Sequence, residues 1–300
     1  MSDTTVSTID DYLAQLAATL EGEDPALIQD ALQDAEEHLR GEIAEQPDKS
    51  EAEILRKIAS SYGNPEEVAE EYRKTEETVS AALAFQPRSR EKSASTGFFG
   101  VLKDSTAYSA LFYMLLSLMT GVVYFTITVT GFSLSLGLAV LIVGILVLLL
   151  FLSIERALSF AEGRIVESLL GVRMPRRIQY EKPNQPFFER LKYMVTDSQT
   201  WSTMLYMILM LPLGILYFVI AVTGMTTSIA FLLTPVFALL VVTGATGLPE
   251  GEVVGLWATP LIFLAGVFLL PSLLHVAKFV ARFHGSLAKS LLVPRIVPAR

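Results

Sequence analysis

Two hydrophobic patterns divide the chain. Over the first 84 residues, apolar positions recur at helical spacing in short runs separated by acids. From residue 98 onward they merge into long stretches without charge. Ile9, Tyr12, Leu13, Leu16 and Leu20 form one apolar stripe at i, i+3, i+4, i+7 and i+11, which predicts a first helix. Asp24-Pro25 restarts the chain, with an N-cap followed by proline where its missing N–H costs nothing. A second helix is predicted to bury Leu27, Ala31, Ala35, Leu39 and Ile43. Ser50 with Glu53 forms a capping box for a third, carrying Ile54, Leu55, Ile58 and Tyr62. Gly63 suits a left-handed helix end, and Asn64-Pro65-Glu66-Glu67 opens a fourth helix with two acids at its positive end.

The apolar half uses one pattern twice. ALFYMLLSLMTGVVYFTITVTG, Ala110 to Gly131, returns as TMLYMILMLPLGILYFVIAVTG, Thr203 to Gly224. Tyr113, Gly121, Tyr124, Phe125, Thr130 and Gly131 recur at the same spacing as Tyr206, Gly214, Tyr217, Phe218, Thr223 and Gly224. Each copy is about 20 residues long without charge, enough to cross a bilayer as a helix. Gly131-Phe132-Ser133 is predicted to turn the first span, which returns over about Leu134–Ile154. Ile154, Leu158, Ala161, Ile165 and Leu169, interleaved with charges, predict an amphipathic exit helix on the membrane surface or against the N-terminal domain. The second copy ends in a similar exit helix with Val276, Phe279, Val280, Phe283, Leu287 and Leu291. Glu167-Ser168-Leu169-Leu170 and Lys289-Ser290-Leu291-Leu292 mark matching ends.

The fold expectation is therefore all-α. It comprises an acidic helical domain at 1–84, a linker at 85–97 and a membrane domain at 98–293, with hairpin repeats at about 98–172 and 187–293. Charge sharpens this division. Residues 1–86 hold 21 acids and 6 bases, about −15, while the remainder holds 10 acids and 17 bases, about +7. Those acids read mainly as a solvated surface, with Glu66 and Glu67 as candidates to face a partner. Lys and Arg flank the hairpins but are absent from Ser198 to Ala277. The positive-inside rule then places both termini and the middle loop, Arg173 to Lys192, in the cytosol of a cell-membrane protein. An even number of crossings follows, so Thr226–Val242 is read as a re-entrant or outer-face segment rather than a fifth span. The start, MSDTTVSTIDDYL, lacks a basic-then-apolar leader, so no cleavable signal peptide is expected.

Two stretches carry family resemblances. YLAQLAATL, an acidic second helix and ILRKIASSYGNPEEVAEEY resemble the HAAS-type signalling domain of bacterial membrane proteins; Tyr62 to Ala69 is its specific part. The spans YMLLSLMTGVVYF and YMILMLPLGILYF, with the paired Tyr-Phe and Thr-Gly positions and the Ser-Leu-Leu ends, resemble the sensor domain of bacterial, often actinobacterial, membrane proteins. The resemblance implies a multi-pass sensing protein, and HAAS-type domains imply a cytosolic partner such as a PadR-like transcription regulator. That sensor domain often adjoins a histidine kinase, but no glycine-rich ATP-binding motif appears here.

Candidate chemistry is sparse. There is no cysteine, and His38, His275 and His284 form no zinc-type spacing, so no catalytic, cofactor or metal residues are assigned. No acid or base falls in the middle of a predicted span, which disfavours an ion pump. Asp104 and Asp197 precede the repeated spans as N-caps. Tyr113, Tyr124, Tyr206 and Tyr217 read either as interfacial packing or as the lining of a cavity between the hairpins, able to accept a lipid or apolar effector. Gly121 and Gly214 are candidates for close helix contact. The basic loop is expected to meet anionic lipid heads rather than nucleic acid. The leading functional expectation is a non-enzymatic membrane sensor relaying a membrane or envelope state to a cytosolic partner. The alternatives are a small transporter or lipid-handling protein, and a scaffold for envelope machinery.

Overall fold

The computed structural model describes residues 8–46, 50–51, 53–55, 57, 62–83, 97–139, 141–176, 195–244 and 256–293. Every regular element among them is helical. The chain divides into two compact units: Met1–Ser93 with Arg173–Val195 and Leu292–Arg300, and Ala94–Val172 with Thr196–Leu291.

The first unit is built from α1 (Ile9–Thr19), α2 (Pro25–Glu45) and α3 (Pro65–Leu83). Local chemistry sets their starts. Thr8 Oγ1 accepts from Asp11 N at 3.1 Å, and Asp24 Oδ1 accepts from Ala26 N at 2.9 Å, with Pro25 in the first turn. Gly63 is left-handed at φ 107°, and Asn64 N donates to Glu67 Oε2 at 3.1 Å. The apolar stripes meet in one core that includes Leu16, Leu20, Leu39, Ile54 and Val68. Each such side chain contributes about 1.5–3 kcal/mol on leaving water. Ile58 and the 85–96 part of the expected linker lie outside the described residues. Tyr12 is buried and donates to Gly63 O at 2.9 Å; burial, Tyr62 and the nearby Glu66 and Glu67 push its phenol above the ordinary value.

Residues 173–176 belong to this unit as a strap without regular structure. Arg173 Nη2 lies 3.2 Å from Asp30 Oδ2 on α2, and Arg173 Nε lies 2.9 Å from Glu76 Oε1 on α3. Arg176 N donates to Asp30 Oδ1 at 3.0 Å. These two arginines therefore have protein partners, where the sequence reading put the basic loop against lipid heads; residues 177–194 lie outside the described set.

The second unit holds α4 (Ser105–Gly137), α5 (Ile142–Leu170), α6 (Ser198–Val242) and α7 (Thr259–Leu292). All four are long and apolar enough to cross a membrane. Asp104 and Asp197 cap α4 and α6 by accepting from Thr106 N and Gln199 N. Partial burial opposes the charged form of Asp104. The Lys278 ammonium 2.6 Å away and the Thr106 hydrogen bonds outweigh it and hold this carboxyl below its ordinary value.

Three sequence expectations about helix ends are corrected. Gly131-Phe132-Ser133 does not turn, because α4 runs on to Gly137. Thr226–Val242 is neither re-entrant nor separate, because α6 is one helix of 45 residues that includes Pro212 and Pro235. At 1.5 Å per residue that is roughly 68 Å, against a hydrocarbon layer of about 30 Å. The polar residues that look like breaks are satisfied inside the helices. Ser135 Oγ donates to Gly131 O at 2.7 Å, Thr226 Oγ1 to Val222 O at 2.7 Å and Ser228 Oγ to Gly224 O at 2.6 Å. Third, the two exit helices are not separate elements but the last turns of α5 and α7.

An amphipathic helix on the membrane surface would turn its charges to water, but two of them, Glu155 and Glu162, are buried, and Val280 of the apolar stripe on α7 is buried as well. Ile154, Val276, Phe279 and Phe283 are exposed, whereas Glu155, Glu162 and His284 are buried. In water, apolar residues turn inward. A bilayer removes that drive, so the apolar face can meet lipid while polar groups turn into the bundle.

Candidate functional site

The buried polar groups of the second unit converge on Glu162. Tyr113 Oη donates to Glu162 Oε1 at 2.7 Å, Tyr206 Oη to the same oxygen at 3.0 Å, and Tyr124 Oη to Oε2 at 3.0 Å. His284 Nε2 lies 2.6 Å from Tyr113 Oη, 2.8 Å from Tyr206 Oη and 3.9 Å from Glu162 Oε1. Glu162 and His284 are each 0% exposed. The Tyr217 ring meets the imidazole edge-on at 5.7 Å.

Four helices supply these groups: Tyr113 and Tyr124 from α4, Glu162 from α5, Tyr206 and Tyr217 from α6, and His284 from α7. Tyr113 and Tyr206 sit about two turns inside their capped starts, and Glu162 and His284 about two turns before the ends of α5 and α7. All of them therefore occur near the helix ends that carry the Lys- and Arg-rich segments. With all three phenolic protons on the Glu162 oxygens, an imidazole proton on Nε2 meets the Tyr113 and Tyr206 hydroxyl oxygens. Two buried atoms remain outside this match. His284 Nδ1 and Tyr217 Oη have no hydrogen-bond partner among the described residues.

Aligning the shared Ser-Leu-Leu ends, Ser168–Leu170 and Ser290–Leu292, places Glu162-Gly163 opposite His284-Gly285. The cluster thus pairs equivalents: Tyr113 with Tyr206, and Glu162 with His284. The scaffold below follows the same symmetry. A Cβ on Gly121 would stand 2.5 Å from Met210 O, and one on Gly214 would stand 2.3 Å from Ser117 O. Backbone therefore approaches backbone at both glycines, which only a missing side chain permits. Gly131 abuts Phe151 and Gly224 abuts Leu273, again equivalent pairs.

A second polar pair lies farther along α4 and α5. Thr128 Oγ1 donates to Glu155 Oε1, and both residues are buried. Their counterparts in the second copy, Ala221 and Ala277, are both fully buried in an apolar cluster with Tyr217, Leu273 and Leu274.

Of the residues singled out in sequence, Tyr113, Tyr124 and Tyr206 meet on one carboxylate, with Tyr217 beside the imidazole. Gly121 and Gly214 lie at the helix crossing. Glu66 and Glu67 are exposed in the first turn of α3, in the other unit. Sequence reasoning missed Glu155, Glu162 and His284. The available signal was spacing: Glu155 and Glu162 are two turns apart on one face, and Glu162 aligns with His284 across the repeat. His275 instead stacks on Phe98, with Nε2 3.1 Å from Phe98 O. Among the described residues no group of three His, Cys, Asp or Glu could hold a metal ion.

The family model described as "Sensor: Putative sensor" matches residues 113–292, a span that holds every residue of this cluster. The chain belongs to the Sensor family. The model described as "HAAS" matches residues 11–71, which cover α1, α2 and the start of α3. Both agree with the resemblances read from the sequence, in the same order. Comparison with curated proteins and with solved structures found no match. A Sensor-family chain with four apolar helices is a membrane protein, and neither matched family is an enzyme family.

Proposed function

We propose that this Sensor-family protein is a non-enzymatic, multi-pass sensor of the cell membrane that relays a membrane or envelope state to a cytosolic protein partner through its HAAS segment. The observation that carries this reading is Glu162: one buried carboxylate accepts hydroxyls from both hairpin copies, Tyr113 and Tyr124 on α4 and Tyr206 on α6. Hydrogen bonds weaken steeply with distance and angle. A tie of this kind holds only while the helices keep their mutual register, and a change in lateral pressure or an inserted apolar effector alters that register. Tyr113, Gly121, Tyr124, Tyr206, Gly214 and Tyr217 are the residues of the responding core.

The distribution of Lys and Arg supports four crossings with both termini in the cytosol. Glu66 and Glu67, exposed at the start of α3, are the residues proposed to face the partner, for which a PadR-like transcription regulator is the leading candidate. Anionic lipids are proposed to contact the basic residues of the middle loop beyond Arg176. The test places a photo-crosslinking residue at Glu66 or Glu67 in the full chain within native membranes and identifies the captured protein. A cytosolic regulator whose capture changes in Glu162→Gln is expected. Capture of envelope enzymes, unchanged by that substitution, would establish the scaffold instead.

A further inference from the structure

The strap at residues 173–176 has the features of a bound peptide. It has no regular structure, and Pro175 removes a backbone donor in its middle. Met174 is 1% exposed. Arg173 is gripped from two helices, by Asp30 on α2 and Glu76 on α3, with its own side chain 13% exposed and that of Asp30 9%. Arg176 adds a second pair, Nη1 to Glu76 Oε2 at 3.4 Å, and its backbone N–H is held by both Asp30 oxygens at 3.0 and 3.2 Å. Two arginines, a buried methionine and a fixed main-chain donor are what a peptide-recognition site reads.

We infer that Asp30 and Glu76 form a receptor site for an arginine-bearing peptide, and that its resident ligand is this chain's own Arg173–Arg176 segment. The ligand commitment follows from charge complementarity. The receptor acids lie in a stretch with a large excess of negative charge, while the strap begins the basic middle loop. The strap also has a fixed origin. The helix α5, which carries Glu162, ends at Leu170 with Gly171 left-handed at φ 69°, and Arg173 follows two residues later. A peptide held at Arg173 is therefore anchored to the last turn of the helix that bears the buried carboxylate. The site stands on its own contacts. Its use as the relay between hairpins and partner rests on the signalling reading above.

The test uses the full chain in nanodiscs and requires no partner, so its failure is separate from failure of the signalling reading. Hydrogen exchange by mass spectrometry should show the Arg176 amide protected in the wild type. Arg173→Ala with Arg176→Ala should raise exchange in the strap at least tenfold while leaving the segments around Leu16 and Leu39 unchanged. If those core segments loosen as well, the strap is a structural member of the fold and the inference fails. A fluorescent peptide of residues 171–177 should bind the doubly substituted chain, whose site is vacated. It should bind the wild type at least tenfold more weakly, and should not bind Asp30→Asn with Glu76→Gln. Equal binding to all three would mean diffuse attraction to an acidic surface and would overturn the assignment.

Discussion

The two hairpin copies share a backbone plan and differ in where they keep polar groups. Asp104 and Asp197 start their first helices, Gly121 and Gly214 bring the backbones together, and the same face of each second helix is buried. Against this symmetry, the first copy buries two carboxylates, Glu155 and Glu162, where the second has Ala277 and His284. Tyr124 donates to Glu162, while its counterpart Tyr217 has no hydrogen-bond partner among the described residues. The shared scaffold brings Tyr113 and Glu162 together with their equivalents, Tyr206 and His284. Chemistry arose where the equivalents stopped being alike: an acid and an imidazole now face one another through two tyrosines, which identical copies could not provide.

The largest effect is expected at the centre of that asymmetry. Glu162→Ala removes the acceptor for three buried hydroxyls and should cost several kcal/mol, at about 1–3 kcal/mol for each group left without a partner. His284→Ala should cost less, about 1–3 kcal/mol. Thermal unfolding in detergent, followed by fluorescence of Trp201 and Trp257, measures both. Equal losses would mean that the copies share the load evenly.

The scaffold, by contrast, should respond symmetrically. Gly121→Leu and Gly214→Leu each drive a side chain into opposing backbone and should each cost about 1–3 kcal/mol or more. Gly131→Ala and Gly224→Ala meet only the side chains of Phe151 and Leu273, which can rotate away, so their unfolding midpoints should fall less. A large loss at Gly121 with none at Gly214 would show that the crossing is not shared.

Removing single hydroxyls separates the copies more finely. Tyr124→Phe should cost about 1.5–3 kcal/mol, since it gives up a hydrogen bond to a carboxylate. Tyr217→Phe should be neutral or slightly stabilising by the same melting assay. A cost at Tyr217 equal to that at Tyr124 would reveal a partner for its hydroxyl.

The smallest effect is expected from making the copies alike. Thr128→Ala with Glu155→Ala installs the residues of the second copy and should be close to neutral, because a buried polar pair and its apolar replacement often balance. Thr128→Ala alone should be worse than the double substitution, since it strands the Glu155 carboxylate. A double-mutant cycle reads this coupling directly.

How much of this was legible in sequence depended on range. The all-α class, the apolar stretches, the repeat and the caps at Asp24, Asp104 and Asp197 were readable, because each rests on neighbours within a few residues or on composition. Glycines at matched positions pointed to close contact by the same local logic. Helix ends were not readable from Gly131-Phe132-Ser133 or Thr226, because side-chain hydroxyls rejoin the helix through bonds to carbonyls three or four residues back. The burial of Glu155 and Glu162 on α5 was not readable, because an amphipathic pattern does not say which of its faces meets lipid and which meets the bundle.

The sequence by itself determined that the chain is helical, duplicated and membrane-embedded, since hydrophobic length and spacing act along the chain. Only the tertiary structure decided that Glu162 meets His284 through Tyr113 and Tyr206, and that Arg173 reaches Asp30 across 143 positions. Such meetings have no periodic signature. A buried charge is tolerated only where partners from distant segments arrive together, and that arrival is a property of packing rather than of any stretch of chain.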